Sequence, residues 1–185
     1  MADKKIVILD AALYVFTLQG VRDATTKSIA FEAKVSESLI FRHFGSKDKL
    51  VRQVLKRGYL KATDVLSEHL IYSSPQQYIE NVLDVPKILV FSDKNFWLMQ
   101  YKTIPINAIA KKYHDLFINP CRKLLVKSFS DLKFDDPILE AEILLLFVDS
   151  LWKYIVNNDF DKQYVDNITS LMQNKYKAIT NDIIG

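Results

Sequence analysis

Between residues 4 and 19, apolar side chains return at Ile6, Leu9, Leu13 and Phe16, with Ala12 and Val15 beside them. That spacing predicts a helix with one buried face, closed by Gly20, a residue suited to a left-handed helix end. Thr25 and Thr26, either able to act as N-cap, precede a helix of roughly two turns with Ile29, Ala30 and Ala33 inward. Lys34 and Val35 make a turn. Ser36 offers another cap, and Leu39, Ile40, Phe41 and Phe44 fall in a second short helix that Gly45 ends. Ser46 caps the next helix, and Asp48 sits in its first turn, where a carboxylate suits the helix dipole.

From Lys47 to about Tyr72 the pattern continues as one long helix, with Gly58 as an interruption and a plausible boundary. Ser74 and Pro75 then give a cap and a first helical residue. The helix over 75–91 contains Pro86, which predicts a kink or a split, and Ser92-Asp93 restarts the chain. A short aromatic segment follows, with Phe96, Trp97, Met99 and Tyr101, broken by Pro105. Residues 106–130 are helical in pattern, with a kink or break expected at Pro120, and Asp135-Asp136-Pro137 is another cap-and-proline start. Two helices, over 137–157 and 161–183, close the chain. The first is apolar on nearly all sides, so it needs cover on more than one face. A twin subunit is the simplest cover. Leu145, Val148 and Trp152 on it, with Ile168, Met172 and Ile179 from the narrower stripe of the last helix, are the candidate dimer residues. The expectation is an all-α chain of about nine helices, with an N-terminal unit at 1–57 and a helical unit at 58–185.

Composition narrows the setting. One cysteine, Cys121, excludes an intramolecular disulfide and fits a reducing compartment. The N-terminal apolar run lacks a small-residue cleavage site and reads as helix rather than signal peptide. Ile143–Val148 is the longest strongly apolar run, far short of a membrane span. A soluble cytoplasmic protein is expected. The net charge is +3, but residues 1–57 carry eleven Lys/Arg against six acids, a local +5. That surplus points to a polyanionic partner for this third of the chain, or simply to a solvated surface.

The stretch over 25–50 has the requirements of a helix-turn-helix: inward Leu39, Ile40 and Phe44, with Ser36, Glu37, Ser38, Arg42 and His43 on the outer face or flanks of the second helix. Arg42 suits a phosphate more than a base edge. His43 also fits as a C-terminal helix partner, and Lys47 as a solvated lysine. The three histidines, His43, His69 and His114, have no metal-ligand spacing, and no catalytic constellation or glycine-rich phosphate loop is evident. No catalytic residue, metal or cofactor is therefore expected.

Ile8 to Phe16 with Gly20, the run TTKSIAFEAKVSESLIFRHF, and the G-S-K-x-x-L of Gly45, Ser46, Lys47 and Leu50 together resemble the DNA-binding domain of TetR-family transcriptional regulators. The close match covers residues 6–55, and beyond residue 60 the likeness is architectural. The resemblance implies a recognition helix over about 36–44 and a phosphate contact through Thr26. It also implies a base or backbone contact through Lys27, base reading by Glu37 and Ser38, and backbone contacts by His43 and Lys47. Two positions depart from the pattern. Phe41 stands where the family commonly has Tyr and lacks the phosphate-binding hydroxyl. Lys34 stands where the family usually has Gly; a left-handed backbone there would cost roughly 1–2 kcal/mol, which contact with a phosphate could offset.

The family resemblance further implies a homodimeric regulator, expected to be a repressor, reading a pseudo-palindromic DNA operator with two recognition helices about 34–36 Å apart. A small-molecule pocket in the C-terminal helices is implied as well. Phe96, Trp97, Tyr101, Phe117 and Trp152 are its candidate lining, suiting a hydrophobic or flat aromatic effector, even a cation through cation–π contacts. Each of these aromatics fits a plain core equally well. The alternatives are a helical interaction adaptor that has lost DNA binding, non-specific nucleic-acid binding, and a helical enzyme.

Overall fold

Helix starts follow the capping chemistry. In the computed structural model, which describes residues 3–158 and 161–184 (the last four as backbone only), α1 spans Lys4–Asp23. Asp3 caps it, accepting from the Lys5 amide at 2.9 Å. Gly20, at φ 80 and ψ 155, breaks the helical path inside α1. α2 is Thr26–Glu32, and of the two candidate caps Thr25 takes the position, in a reciprocal capping box with Ser28. α3 is Glu37–Phe44 and α4 is Lys47–Leu66, with Ser46 accepting from the Lys49 amide at 3.2 Å.

α5 runs over Pro75–Thr103, capped by Ser74, whose hydroxyl accepts from the Gln77 amide at 3.2 Å. The kink expected at Pro86 lies instead at Asp93, at φ −161 and ψ 73. There the Asp93 carboxylate accepts from the Phe96 amide at 3.1 Å and so caps the restarted helix. Pro86 removes one amide donor without ending the helix, and Pro120 likewise stays inside α6, Ala108–Asp131. A 3-10 turn over Ile104–Ile106, containing Pro105, separates α5 from α6. α7 is Pro137–Asn157, with Asp136 as cap, and α8 is Lys162–Ile184. Eight α-helices and no strand are present among the described residues. None of these helices is long and apolar enough to cross a membrane.

The chain forms two compact units. The first comprises residues up to 61 with 93–115, and the second 62–92 with 116–184. The sequence suggests a break near Gly58; the first of these units runs on to Lys61 and also takes in the aromatic segment after Asp93. Gly58 itself has a packing role. A Cβ there would overlap the Phe96 ring, so helix α4 carries a glycine where another helix's aromatic must come close. Beside it, Tyr59 meets Phe96 and Trp97 edge-to-face, with centroids 5.3 and 5.7 Å away. Phe96 and Trp97 are fully buried.

In the second unit, α5 and α8 are tied by Lys87 to Asp166 at 2.9 Å and by Thr180 donating to Gln76 at 2.9 Å. Lys87 holds the Asp166 carboxyl below its ordinary range through their hydrogen bond. α7 and α8 meet through the rings of Tyr154 and Tyr164, 5.7 Å apart.

Candidate nucleic-acid interface and ligand cavity

The α2–α3 turn is built without glycine. The Val35 amide donates to Ala30 at 3.0 Å and the Lys34 amide to Phe31 at 3.1 Å, the paired bonds of a Schellman end. Lys34 takes the left-handed position at φ 52, as a glycine would, and bears the steric cost of its Cβ. The same device recurs at the end of α6, where Lys133 stands at φ 62 and Phe134 and Lys133 donate to Phe129 and Ser130. The turn fixes α3 so that Ile40 and Phe44 are buried and Leu39 half-buried, while Ser36, Ser38, Phe41, Arg42 and His43 face solvent.

Several candidate contact groups already have partners. Thr26 donates its hydroxyl to the Glu37 carboxylate, joining the starts of α2 and α3. Ser36 and Ser38 share a hydrogen bond at 2.9 Å, so Ser36 occupies the N-cap position without capping an amide. Lys47 donates to the Arg22 carbonyl at 2.9 Å, bracing the end of α1. Lys27 is exposed on α2. Gly45, at φ 79, closes α3 in a conformation that favours glycine.

Beside α3 lies a depression of about 150 Å³ lined by Lys5, His43, Phe44, Lys49, Arg52 and Gln53. Four of the six are basic types and none is acidic. Lys5, Lys49 and Arg52 were not singled out from sequence. The local surplus of positive charge was legible, but their convergence from α1 and α4 was not.

The candidate ligand residues divide. Phe117 and Trp152 line a cavity of about 310 Å³ in the second unit. Phe96 and Trp97 belong to the packed core of the first unit, and half-buried Tyr101 lies in that unit too. Sequence reading missed the α4 and α5 side chains that complete the cavity, among them Leu66, Tyr78 and Val82. Burial pushes the Cys121 thiol, also in the lining, up to about 11.

The candidate dimer residues divide as well. Leu145, Val148 and Trp152 are buried and line that cavity, so they face inward rather than outward. Ile168 and Met172 are half-buried and Ile179 is exposed. The exposed apolar side of α7 carries instead Leu139, Ile143 and Leu146, the last 68% exposed. Among the described residues no group of three or more His, Cys, Asp and Glu could hold a metal ion.

Residues 8–54 match the profile described as bacterial regulatory proteins, tetR family. An HTH-type transcriptional repressor of Mycobacterium tuberculosis is 39% identical over 77 residues, which are 42% of this chain and 39% of that protein. The HTH-type regulator YvkB of Bacillus subtilis is 48% identical over 61 residues, 33% of this chain and 32% of its own length. The chain thus aligns with well under half the length of these relatives. A TetR-like transcriptional regulator from Rhodococcus sp. RHA1 shares the fold, with a TM-score of 0.75 over 94% of this chain and 93% of that one at 21% identity. AibR, solved in complex with isovaleryl coenzyme A and operator DNA, superposes with a TM-score of 0.73 over 91% and 97% of the two chains at 17% identity. Residues 8–54, which hold most of α1, all of α2, the turn, α3 and the start of α4, are thus similar to the tetR family of bacterial regulatory proteins.

Proposed function

We propose that this protein is a dimeric DNA-binding transcriptional regulator, a repressor released from a pseudo-palindromic operator by a small apolar effector, acting in the cytoplasm. The observation that carries the reading is the solvent face of α3, where Ser38, Phe41, Arg42 and His43 stand clear of the core in a segment that matches the family. Hydroxyl and guanidinium groups on that face suit base edges and phosphates. Lys27, Lys34, Ser36 and Glu37 flank it, and the basic depression with Lys5, Lys49 and Arg52 extends it as a run of phosphate contacts.

Thr26 and Glu37 act as a pair in this reading. With its proton engaged by Glu37, the Thr26 hydroxyl reaches a phosphate only if Glu37 turns to accept from a base, most simply a cytosine amino group. For the dimer, exposed Leu139, Ile143 and Leu146 on α7, with Leu171 and Ile179 on α8, replace the inward residues as the proposed interface. For release, the 310 Å³ cavity is the effector site. An effector that favours a dimer with differently spaced recognition helices lowers operator affinity by shifting the population. The second reading, an adaptor without DNA binding, is favoured by the engagement of Thr26 and Lys47 within the protein.

An electrophoretic shift with DNA from upstream of the protein's own gene, against a scrambled duplex, separates the two. Preferential binding at moderate salt is expected; equal or absent binding supports the adaptor. Leu146→Glu should give monomers by light scattering, and an intact dimer would move the interface elsewhere.

A further inference from the structure

The cavity in the second unit is lined by sixteen residues, and none of them is Asp, Glu, Lys, Arg or His. Its wall is buried and apolar, with Leu66, Val82, Val148 and Trp152 nearly inaccessible to solvent. Its rim is more open, with Thr63, Ser67 and Leu116 exposed. The two ionisable groups in the lining stay neutral near pH 7. Burial raises both the Tyr78 hydroxyl and the Cys121 thiol above their ordinary values. The adjacent cation, Arg122, is committed to the Glu142 carboxylate. Ser67 donates to the Asp64 carbonyl at 2.7 Å, so its oxygen is left as an acceptor at the rim. A volume of about 310 Å³ stands at the lower end of pockets for drug-sized molecules, about 300–1,000 Å³.

We propose that this cavity takes an uncharged, largely apolar molecule of one or two rings carrying at most a hydroxyl, and rejects anions and cations of the same shape. The assignment rests on the reading of the cavity as the effector site and narrows it to one chemical class. An ion entering here would lose its hydration and meet no opposite charge. Aromatic walls alone would not restore that loss for a carboxylate, whose charge the ring faces repel.

The test is calorimetric titration of the full-length protein at pH 7.5 with three compounds of one shape: 2-naphthol, 2-naphthoate and protonated 2-naphthylmethylamine. 2-Naphthol is expected to bind, and the two ions to bind at least about 100-fold more weakly. Ser67→Lys, at the exposed rim, is expected to strengthen naphthoate binding about tenfold by supplying the missing charge. Failure of 2-naphthol to bind, or equal binding of either ion, would overturn the assignment. So would naphthoate binding that ignores Ser67→Lys, because the binding site would then lie elsewhere. Operator release is scored separately: naphthol that binds without releasing DNA leaves the ligand class standing and removes the effector role.

Discussion

The two units each gather a tyrosine, a phenylalanine and a tryptophan, yet use them in opposite ways. In the first, Tyr59, Phe96 and Trp97 interlock edge-to-face, and α4 gives up a side chain at Gly58 to admit the Phe96 ring. In the second, Tyr78, Phe117 and Trp152 stand around open volume. Aromatic composition is the same signal in both places. What separates a core from a cavity is whether neighbouring elements close the space, since interiors elsewhere are packed to crystal-like density.

The largest effect should come from truncating the closed cluster. Trp97→Ala is expected to cost about 3–5 kcal/mol, measured by denaturant unfolding. Trp152→Ala should cost less, because one side of that ring already faces unfilled space. A greater loss at Trp152 would break the comparison. Adding volume gives the next test. Alanine in place of glycine ordinarily stabilises a helix by about 1 kcal/mol. Gly58→Ala is nevertheless expected to destabilise by about 1–3 kcal/mol through overlap with Phe96. Val148→Ile, beside the cavity, should change stability by less than about 1 kcal/mol. A stabilising Gly58→Ala would show that the first cluster has room.

The smallest effects concern the two left-handed lysines. Lys34→Gly and Lys133→Gly should each stabilise by about 1 kcal/mol by relieving the positive-φ backbone. Only Lys34→Gly should also weaken DNA binding, if that lysine meets a phosphate.

The helix starts were legible because caps act locally: Ser46, Ser74, Asp93 and Asp136 each accept an amide three residues on. The family resemblance over residues 6–55 was legible for a similar reason, since a short helix–turn–helix writes its core into adjacent positions. Pro86 misled because proline ends a helix only when the surrounding packing does not hold it. Lys133 passed unnoticed because nothing in its type signals a left-handed backbone. The Thr26–Glu37 pair was hidden by the turn between them, although both residues were singled out. Leu145, Val148 and Trp152 are candidates for a dimer face in the sequence because a helix apolar nearly all round does not reveal which face meets a partner; the chain buries them around its own cavity. Leu139, Ile143 and Leu146 are apolar too, and only burial tells the two sides apart.

The reading of α3 as the DNA-contacting helix is tested most directly by fluorescence anisotropy. The measurement follows operator binding against salt for the wild type, Arg42→Ala and Ser38→Ala. A phosphate contact at Arg42 should appear as a uniform loss across sequences, with the slope of log affinity against log salt falling by about 0.9. Ser38→Ala should instead shrink the preference for operator over scrambled duplex and leave the slope unchanged. Wild-type protein that binds both duplexes equally, or variants that bind both as the wild type does, would contradict it.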